Sequence, residues 1–544
     1  MMNTKLSGWT NLLIAILITV PLLVIISLGH TFMGLPSLPA DVFNPVRDAL
    51  PGDLIVFGIQ RMVDVIIGLN LGRVDEAGKI AETAMAAIMV LVLLIIAGVI
   101  LLTVFQRSQR QQVQRLGLIG GAVVGAIMAA ISLLYGVSAT IDPRIIGGIW
   151  LLLLFVGWGL AHAWVYERVT RTADAAAVSE SAASANALNR RQFLVTVGAA
   201  SATVTVVGAG LSALLNTRIS TPTEEPVAAA GAGDVLPNAD DPVVPAPGTR
   251  PEVTPVEDHY RIDIAIVPPV INEANWTLPF TTQIGGEART LAQFTLDEIK
   301  AYESVEAYVT MSCISNRVAG DLISTTKWTG VQMQRLLQDV PLPEGATHLK
   351  MTCADGFDET VSLDIVNNDE RVMLAYFWED KPLTTEHGFP IRIHIPDLYG
   401  MKQPKWITGI EVLGEDEDGY WVRRGWDKEA RVRATSVIDT IATDMMVMDD
   451  EQSLIPVGGI AWAGARGVAA VEVRIDGGDW QPARVRAPIS DRTWVIWRYD
   501  WAFTEGEHTF EVRCIEANGA AQIEAEAGVR PSGATGIHEM RAMI

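Results

Sequence analysis

Apolar positions in the first 216 residues run together instead of alternating. Residues 9–29, 80–104, 115–136 and 144–166 are stretches nearly free of charge, and a fifth, 192–215, follows Arg190 and Arg191. About 20 apolar residues in a helix cross a hydrocarbon core, so the pattern predicts a membrane domain over 1–216 with about five transmembrane helices. Lys5 precedes the first stretch, RSQRQQVQR lies between the second and third, and Arg168, Arg171, Arg190 and Arg191 lie between the fourth and fifth. Basic loops stay in the cytoplasm, which puts the amino terminus inside and everything after residue 216 outside. Residues 54–72 are interrupted by Gln60, Arg61 and Asp64, and predict an amphipathic helix on the outer surface.

Residues 172–189 are rich in Ala and Ser, and 217–257 in Pro, Ala, Gly and acids; the second predicts a flexible linker unable to bury a core. From 258 the period shortens to two. His259-Tyr-Arg-Ile-Asp-Ile predicts a strand or extended arm, and Thr295-Leu-Asp-Glu298 is a capping box opening the helix LDEIKAYE. Val305, Ala307, Val309, Met311 and Cys313 form one face of a half-buried strand, ended by the turn formers Ser315, Asn316, Ala319 and Gly320. A further turn at Trp328–Gly330, a helix at 331–340 and a hairpin about Asp355-Gly356 follow. Ile391, Ile393 and Ile395 alternate with Arg392 and His394, which predicts a core face and a face presenting a guanidinium, with His394 toward solvent. Residues 258–433 thus read as an α+β domain. Short strands with Asp476-Gly477 and Asn518-Gly519 turns then predict an all-β sandwich over 434–531 and a flexible tail over 532–544.

Composition narrows the chemistry. A net charge of −22 argues against a nucleic-acid partner, whose binding needs a basic footprint. Three cysteines in 544 residues make no disulfide framework, and their spacing fits no zinc pattern. His30 and His162 lie at opposite ends of their apolar stretches, so they cannot share one haem iron. Cys313, Cys353 and Cys514 each end the same kind of apolar alternation, and a free cysteine is most often a small buried hydrophobe.

The residues after Cys313 distinguish it. Cys313-Ile-Ser-Asn, followed by Gly-Asp and Trp-Thr-Gly-Val, resembles the metal-cysteine segment of the sulfite oxidase family of molybdopterin enzymes. Residues 374–406, LAYFWEDKPLTTEHGFPIRIHIPDLYGMKQPKW, resemble that family's second signature. The resemblance implies a thiolate from Cys313 on molybdenum, and cofactor contacts from Arg261, Ile262, Asp355, His387, Arg392, Gln403 and Lys405. An arginine fork and a lysine point charge suit a phosphate, and backbone N–H groups around Gln403 could complete a nest. A solvated edge arginine at Arg261 and a plain hairpin turn at Asp355 stand beside these readings. The family carries His where this chain has Asp263, and its sulfite-pocket arginine and tyrosine are replaced by Val318 and Trp426, with Arg317 one position off. Arg317 and Trp426 are therefore the candidate substrate residues. Asn189-Arg-Arg-Gln-Phe-Leu is similar to a twin-arginine export signal, or is the basic flank of a helix. The last domain resembles the immunoglobulin-like domain that forms dimers in this family.

These readings together describe a multi-domain, exterior-facing, membrane-anchored molybdenum-molybdopterin oxidoreductase. It would transfer an oxygen atom to or from a small substrate with a separate electron-transfer partner, and its surroundings would include membrane lipid. The incomplete sulfite pocket favours reduction of a sulfoxide or other oxide. A sulfite-type oxidase and a noncatalytic cofactor-binding surface receptor are the alternatives.

Overall fold

The structure, a computed structural model, describes residues 6–136, 141–176, 192–193, 195–207, 235–449 and 452–544. The chain divides into two compact units, 1–50 with 79–225 and 51–78 with 226–544. Arg190 and Arg191 lie outside the described residues.

The first unit is helical. Helices α1 (Gly8–Met33), α2 (Leu38–Ala49), α4 (Val74–Arg107, from Lys79 on), α5 (Val113–Tyr135) and α6 (Ile141–Ala176) supply its core, in which Ile14, Ile26, Leu102, Phe105 and Phe155 are buried. Four helical stretches, Gly8–Met33, Val74–Arg107, Arg110–Tyr135 and Ile145–Thr170, are long and apolar enough to cross a membrane. The fifth expected stretch is described as a shorter apolar helix, Val195–Val207. Helices α5 and α6 meet through small residues: a Cβ on Gly121 would stand 2.3 Å from the carbonyl oxygen of Phe155, so no larger residue permits this approach.

The second unit opens with α3 (Gly52–Gly68), a helix where the interrupted apolar run predicts one. Two sheets follow. One has the order β2-β1-β10-β5-β6, from β1 (Thr277–Thr282), β2 (Arg289–Thr295), β5 (His348–Cys353), β6 (Asp358–Ser362) and β10 (Ile407–Leu413). The other has β3 (Ser304–Ser312), β4 (Ile323–Gln332), β7 (Met373–Trp378) and β8 (Lys381–Pro382), with β9 (Arg392–His394) also on β7. In β7, Leu374 and Tyr376 enter the core shared with the first sheet, while Met373, Ala375 and Trp378 enter the cluster around Cys313. Burial on both faces explains why Met373–Trp378 is a continuous apolar run without alternation.

Four expectations change here. Trp328–Gly330 is no turn, because both residues lie inside β4, paired to β3 and β7. Gly330 marks an irregularity in the β4–β7 register, where a Cβ would meet the carbonyl oxygen of Leu374 at 2.2 Å. The helix expected at 331–340 shrinks to Met333–Leu337. The described part of the expected linker, 235–257, is packed: Arg250 forks onto Asp439 at 2.6–3.1 Å, and Arg486 donates to the carbonyls of Asn238, Asp241 and Val243 at 2.9–3.1 Å. Its Pro, Gly and acids serve turns and ion pairs with the carboxy-terminal region, so composition misread it. The expected tail contains β19 (His538–Met543), which closes a sheet edge.

The carboxy-terminal region has two sheets. One runs β11-β13-β17-β16 with β12 on β13, from β11 (Thr435–Ile441), β12 (Val447–Asp449), β13 (Gln452–Trp462), β16 (Arg484–Val485) and β17 (Val495–Ala502). The other runs β15-β14-β18-β19, adding β14 (Val468–Ile475), β15 (Gln481–Pro482) and β18 (Glu507–Glu516). Ile455, Val457, Val471, Val473, Trp497, Phe510 and Val512 fill one core from both sheets. Cys514 is fully buried in it, the structural role that its alternation suggests.

Candidate functional site

Strand β3 delivers Cys313 to the end of the sheet, where the backbone turns at once. The Cys313 N–H donates to the Leu322 carbonyl at 3.0 Å, the Asn316 N–H returns to the Cys313 carbonyl at 3.0 Å, and Asn316 Oδ1 accepts from the Leu322 N–H at 3.0 Å. The loop is therefore pinned on both sides of the sulfur. Cys313 Sγ lies 3.0 Å from Ser315 Oγ and packs with Tyr260, Met311, Leu322, Trp328 and Trp378. Burial pushes its thiol up, with the Ser315 hydrogen bond opposing.

Beside the thiol stands a group of buried cations. Arg392, 6% exposed, has its guanidinium 4.9 Å from the Trp328 ring centroid. Its hydrogen bonds go to the His387 carbonyl at 3.2 Å and the Met311 thioether at 3.6 Å. Among the described residues, no carboxylate is found in its ion pairs or hydrogen bonds. Burial pulls its pKa down to about 10. Lys405 bridges to Arg392 along the backbone, and its Nζ donates to Asp263 Oδ2 at 2.9 Å and the Glu386 carbonyl at 3.0 Å. Burial pulls Lys405 down to about 8, against the attraction of Asp263 and with the repulsion of Arg392. Arg261 Nε donates to the same Asp263 oxygen at 3.0 Å, while its Nη2 is buried without a partner. Asp355 belongs to this group electrostatically: burial, with repulsion from Asp263, raises it to about 6 against the pull of Lys405. Its Oδ1 also accepts from the Phe357 N–H at 3.0 Å, the local bond of the expected hairpin turn.

His387 lies 4.5 Å, ring to ring, from Trp378 and 5.3 Å from His259. Burial, then the charges of its neighbours, keeps it neutral well below the usual histidine range. His259 is a member that sequence reasoning passed over. Only 3% exposed, it is enclosed by Tyr260, Trp328, Trp378 and His387, its Nε2 has no partner, and burial pulls its pKa to about 3. Its place in the extended arm was visible, but the aromatic enclosure comes from strands far along the chain.

Other expected members fall elsewhere. Ile262 is 38% exposed. Gln403 serves the scaffold: its N–H closes on the Gly400 carbonyl at 3.0 Å, its Oε1 meets His394 Nδ1 at 2.8 Å, and its Nε2 donates to Leu398 at 2.7 Å. The Lys402 N–H is likewise bonded to Tyr399, so these two amides make no nest. His394 is 4% exposed and not on a solvent face, because Gln403 and the following turn cover it. Arg317 is held at the surface by Asp64 of α3 at 2.5 Å. Trp426 packs against the cluster that holds Ile314, Tyr399 and Trp462 and lies 6.5 Å, ring to ring, from Trp421, with its indole N–H buried and without a partner.

A buried guanidinium without a carboxylate costs several kcal/mol in the order of magnitude of ion desolvation. Arg392, the unused Arg261 Nη2 and Lys405 form a set that a phosphate-bearing, planar ligand would complete. Residues 265–421 match the oxidoreductase molybdopterin binding domain. This part of the chain is similar to the sulfite oxidases.

The chain is 25% identical over 288 residues to mitochondrial sulfite oxidase of Homo sapiens, covering 44% of this chain and 52% of that one. It is 26% identical over 333 residues to the nitrate reductase [NAD(P)H] of Hordeum vulgare, covering 51% and 36%. The chain thus spans about half the length of the human relative. Among solved structures, the sulfane dehydrogenase SoxCD of Paracoccus pantotrophus aligns with a TM-score of 0.45 at 17% identity, over 59% of this chain and 93% of that one. The residues present would suit a molybdenum cofactor, with Cys313 for the metal and Arg261, Arg392 and Lys405 for an anionic pterin half.

Proposed function

We propose that this protein is a membrane-anchored, exterior-facing molybdenum-cofactor oxidoreductase that catalyses two-electron oxygen-atom transfer on a small substrate. The observation that carries the reading is Arg392, a buried cation next to the Cys313 cluster whose bonds leave it without a counter-charge. The cofactor supplies the redox and oxo-transfer chemistry, and the protein supplies orientation and charge. Cys313 would hold the metal, Arg392, Lys405 and Arg261 the phosphate, and His387, His259 and Asp355 the polar edges of the pterin. Tyr260, Trp328 and Trp378 wall the cysteine side against water.

Reduction of a sulfoxide or other oxide remains the favoured direction. Arg317 is engaged with Asp64, and by the family resemblance Val318 and Trp426 take the positions of the sulfite-pocket arginine and tyrosine. The indole N–H of Trp426 is instead a neutral donor, suited to an S=O or similar oxygen. The relatives include both an oxidase and a reductase by name, which keeps sulfite-type oxidation as the second reading. Two-electron turnover also requires a separate electron-transfer partner. The two-sheet carboxy-terminal region is the proposed immunoglobulin-like domain, with a homodimer contact as its proposed role.

Chain parity supports the fifth span. Residues 51–78 and 226–544 share one compact unit, so they lie on one side of a membrane, and an even number of crossings must separate them. Three long apolar helices lie between them, so the run containing Val195–Val207 would be the fourth crossing. With basic loops inside, that shared side is the exterior.

Elemental analysis of the full chain, made in a host that produces the cofactor, tests the reading. About one molybdenum per chain, lost in Cys313→Ser, is expected. Wild-type protein free of molybdenum would refute it. Turnover with artificial donors on sulfoxides, against oxidation of sulfite, then separates the two directions.

A further inference from the structure

The segment between the first two apolar helices ends inside the wall of the pocket. Asp75 is 3% exposed, and its Oδ2 accepts the backbone N–H of Arg261 at 2.8 Å. Its two carboxylate oxygens also take Arg73 Nε and Nη2 at 3.2 and 3.1 Å, and Arg73 Nη1 reaches Asp258 at 3.3 Å. The next grip is by Val74, whose N–H donates to Asp321 Oδ2 at 2.9 Å and whose side chain packs against the cluster of Tyr260, Cys313 and Leu322. Three consecutive residues therefore hold two segments that flank the Cys313 cluster. One is the arm of Asp258–Asp263 that carries His259 and Arg261, and the other is the loop returning from Cys313.

The energetics favour a dedicated role. A buried carboxylate is costly unless its charge and lone pairs are answered, and Asp75 is answered by one guanidinium and one amide of the arm. Removing Asp75 leaves the Arg261 amide without the acceptor it has now, and leaves Arg73 with Asp258 and the exposed Glu76.

We propose that residues 73–75 are an in-chain clasp for the cofactor pocket, with Asp75 the positioning residue that sets Arg261 and its arm against the bound group. The inference rests on the functional reading above and deepens it: the chain ahead of the second apolar helix holds the cofactor as well as tethering the domain. Because α4 starts at Val74, the clasp is also the first turn of a helix of spanning length.

The test compares the full-length wild type with Asp75→Ala, Asp75→Asn and Arg73→Ala in detergent. One readout is the rate of molybdenum loss on dialysis. The other is hydrogen exchange of amides 257–263 in protein made without the cofactor. Asp75→Ala should lose molybdenum about ten- to a hundredfold faster, the usual effect of removing a group that orients a metal-site residue, and exchange in the arm should accelerate. Asp75→Asn keeps an acceptor for the Arg261 amide and should restore most of the protection while matching Arg73→Ala in metal loss. Wild-type metal retention together with unchanged exchange in Asp75→Ala and Arg73→Ala would overturn the clasp. Should Asp75→Ala not fold, Arg73→Ala and Asp75→Asn carry the same comparison. A wild type without molybdenum defeats the functional reading instead, and the exchange data on cofactor-free protein then decide the clasp alone.

Discussion

Arg392 is the residue whose energetics depend most on what fills the pocket. In cofactor-free protein it is a desolvated cation facing a carbonyl and a thioether, so an apolar side chain of similar length should suit the fold better. We expect Arg392→Met to raise the thermal midpoint of cofactor-free protein, by about 1 kcal/mol or more of stability, while cutting molybdenum content; a fall in both would make Arg392 a scaffold residue. Asp355 and Lys405 give a pH signature. The folded value of Asp355, about 6, lies above its unfolded one, so the folded chain holds that proton more tightly. Its stabilisation is complete below about pH 4 and is lost as the pH rises through 6. Lys405 has the opposite displacement, to about 8, so its unfolded form binds the proton more tightly and stability recovers as the pH rises from 8 toward 10.5. Melts of cofactor-free protein from pH 4 to 10 should show both limbs, with Asp355→Asn flattening the first and Lys405→Met the second. The identity of these side chains was legible from the motifs, because Cys313 and the Arg392–Lys405 segment each carry a local pattern. Their burial was not, since His394 and Arg392 both have the alternation of a solvent face, while the Gln403 turn covers His394 and the distant Met311 and Trp328 cover Arg392.

At the scale of elements, pattern succeeded where local rules set the element and failed where distant strands do. The Cys313 strand, the Asp355-Gly356 hairpin and the Thr295 capping box formed as local rules require. Strand β4 was misjudged at Trp328 and Gly330 because its tryptophan and glycine meet β7, to which no local signal points. The packed stretch 235–257 makes the sharpest case. Its hub is Arg486, a half-buried side chain that also donates to Glu252 at 3.1 Å. Arg486→Ala removes one donor from each of three carbonyls and a carboxylate, so we expect a loss of about 2 kcal/mol or more in chemical denaturation and new protease cuts between 236 and 254. Unaltered cleavage would mean that Arg250 and Asp439 hold the segment without it.

At the scale of the whole molecule, the membrane reading is a matter of counting crossings. Reporter fusions should be active on the exterior at residue 71 and after residue 216, and active in the cytoplasm at 109 and near 175. Opposite sides for 71 and 216 would remove the fifth crossing and contradict the shared unit of 51–78 with 226–544. That shared unit was not foreseen. The positive-inside rule assigns sides to loops, but it cannot say that a loop folds onto a domain more than 150 residues later in the chain.

The sequence alone determined the span-length apolar helices, the two β-rich regions and the family resemblance, because each depends on residue type at short spacing. Tertiary structure alone decided that Asp75, His259 and Trp378 join Cys313, that Gln403 and Arg317 are occupied elsewhere, and that the linker and tail are bound. The reason is range: periodicity records which face of an element is apolar, whereas the partner that covers it, and any charge left uncovered, are set by chain far away in sequence.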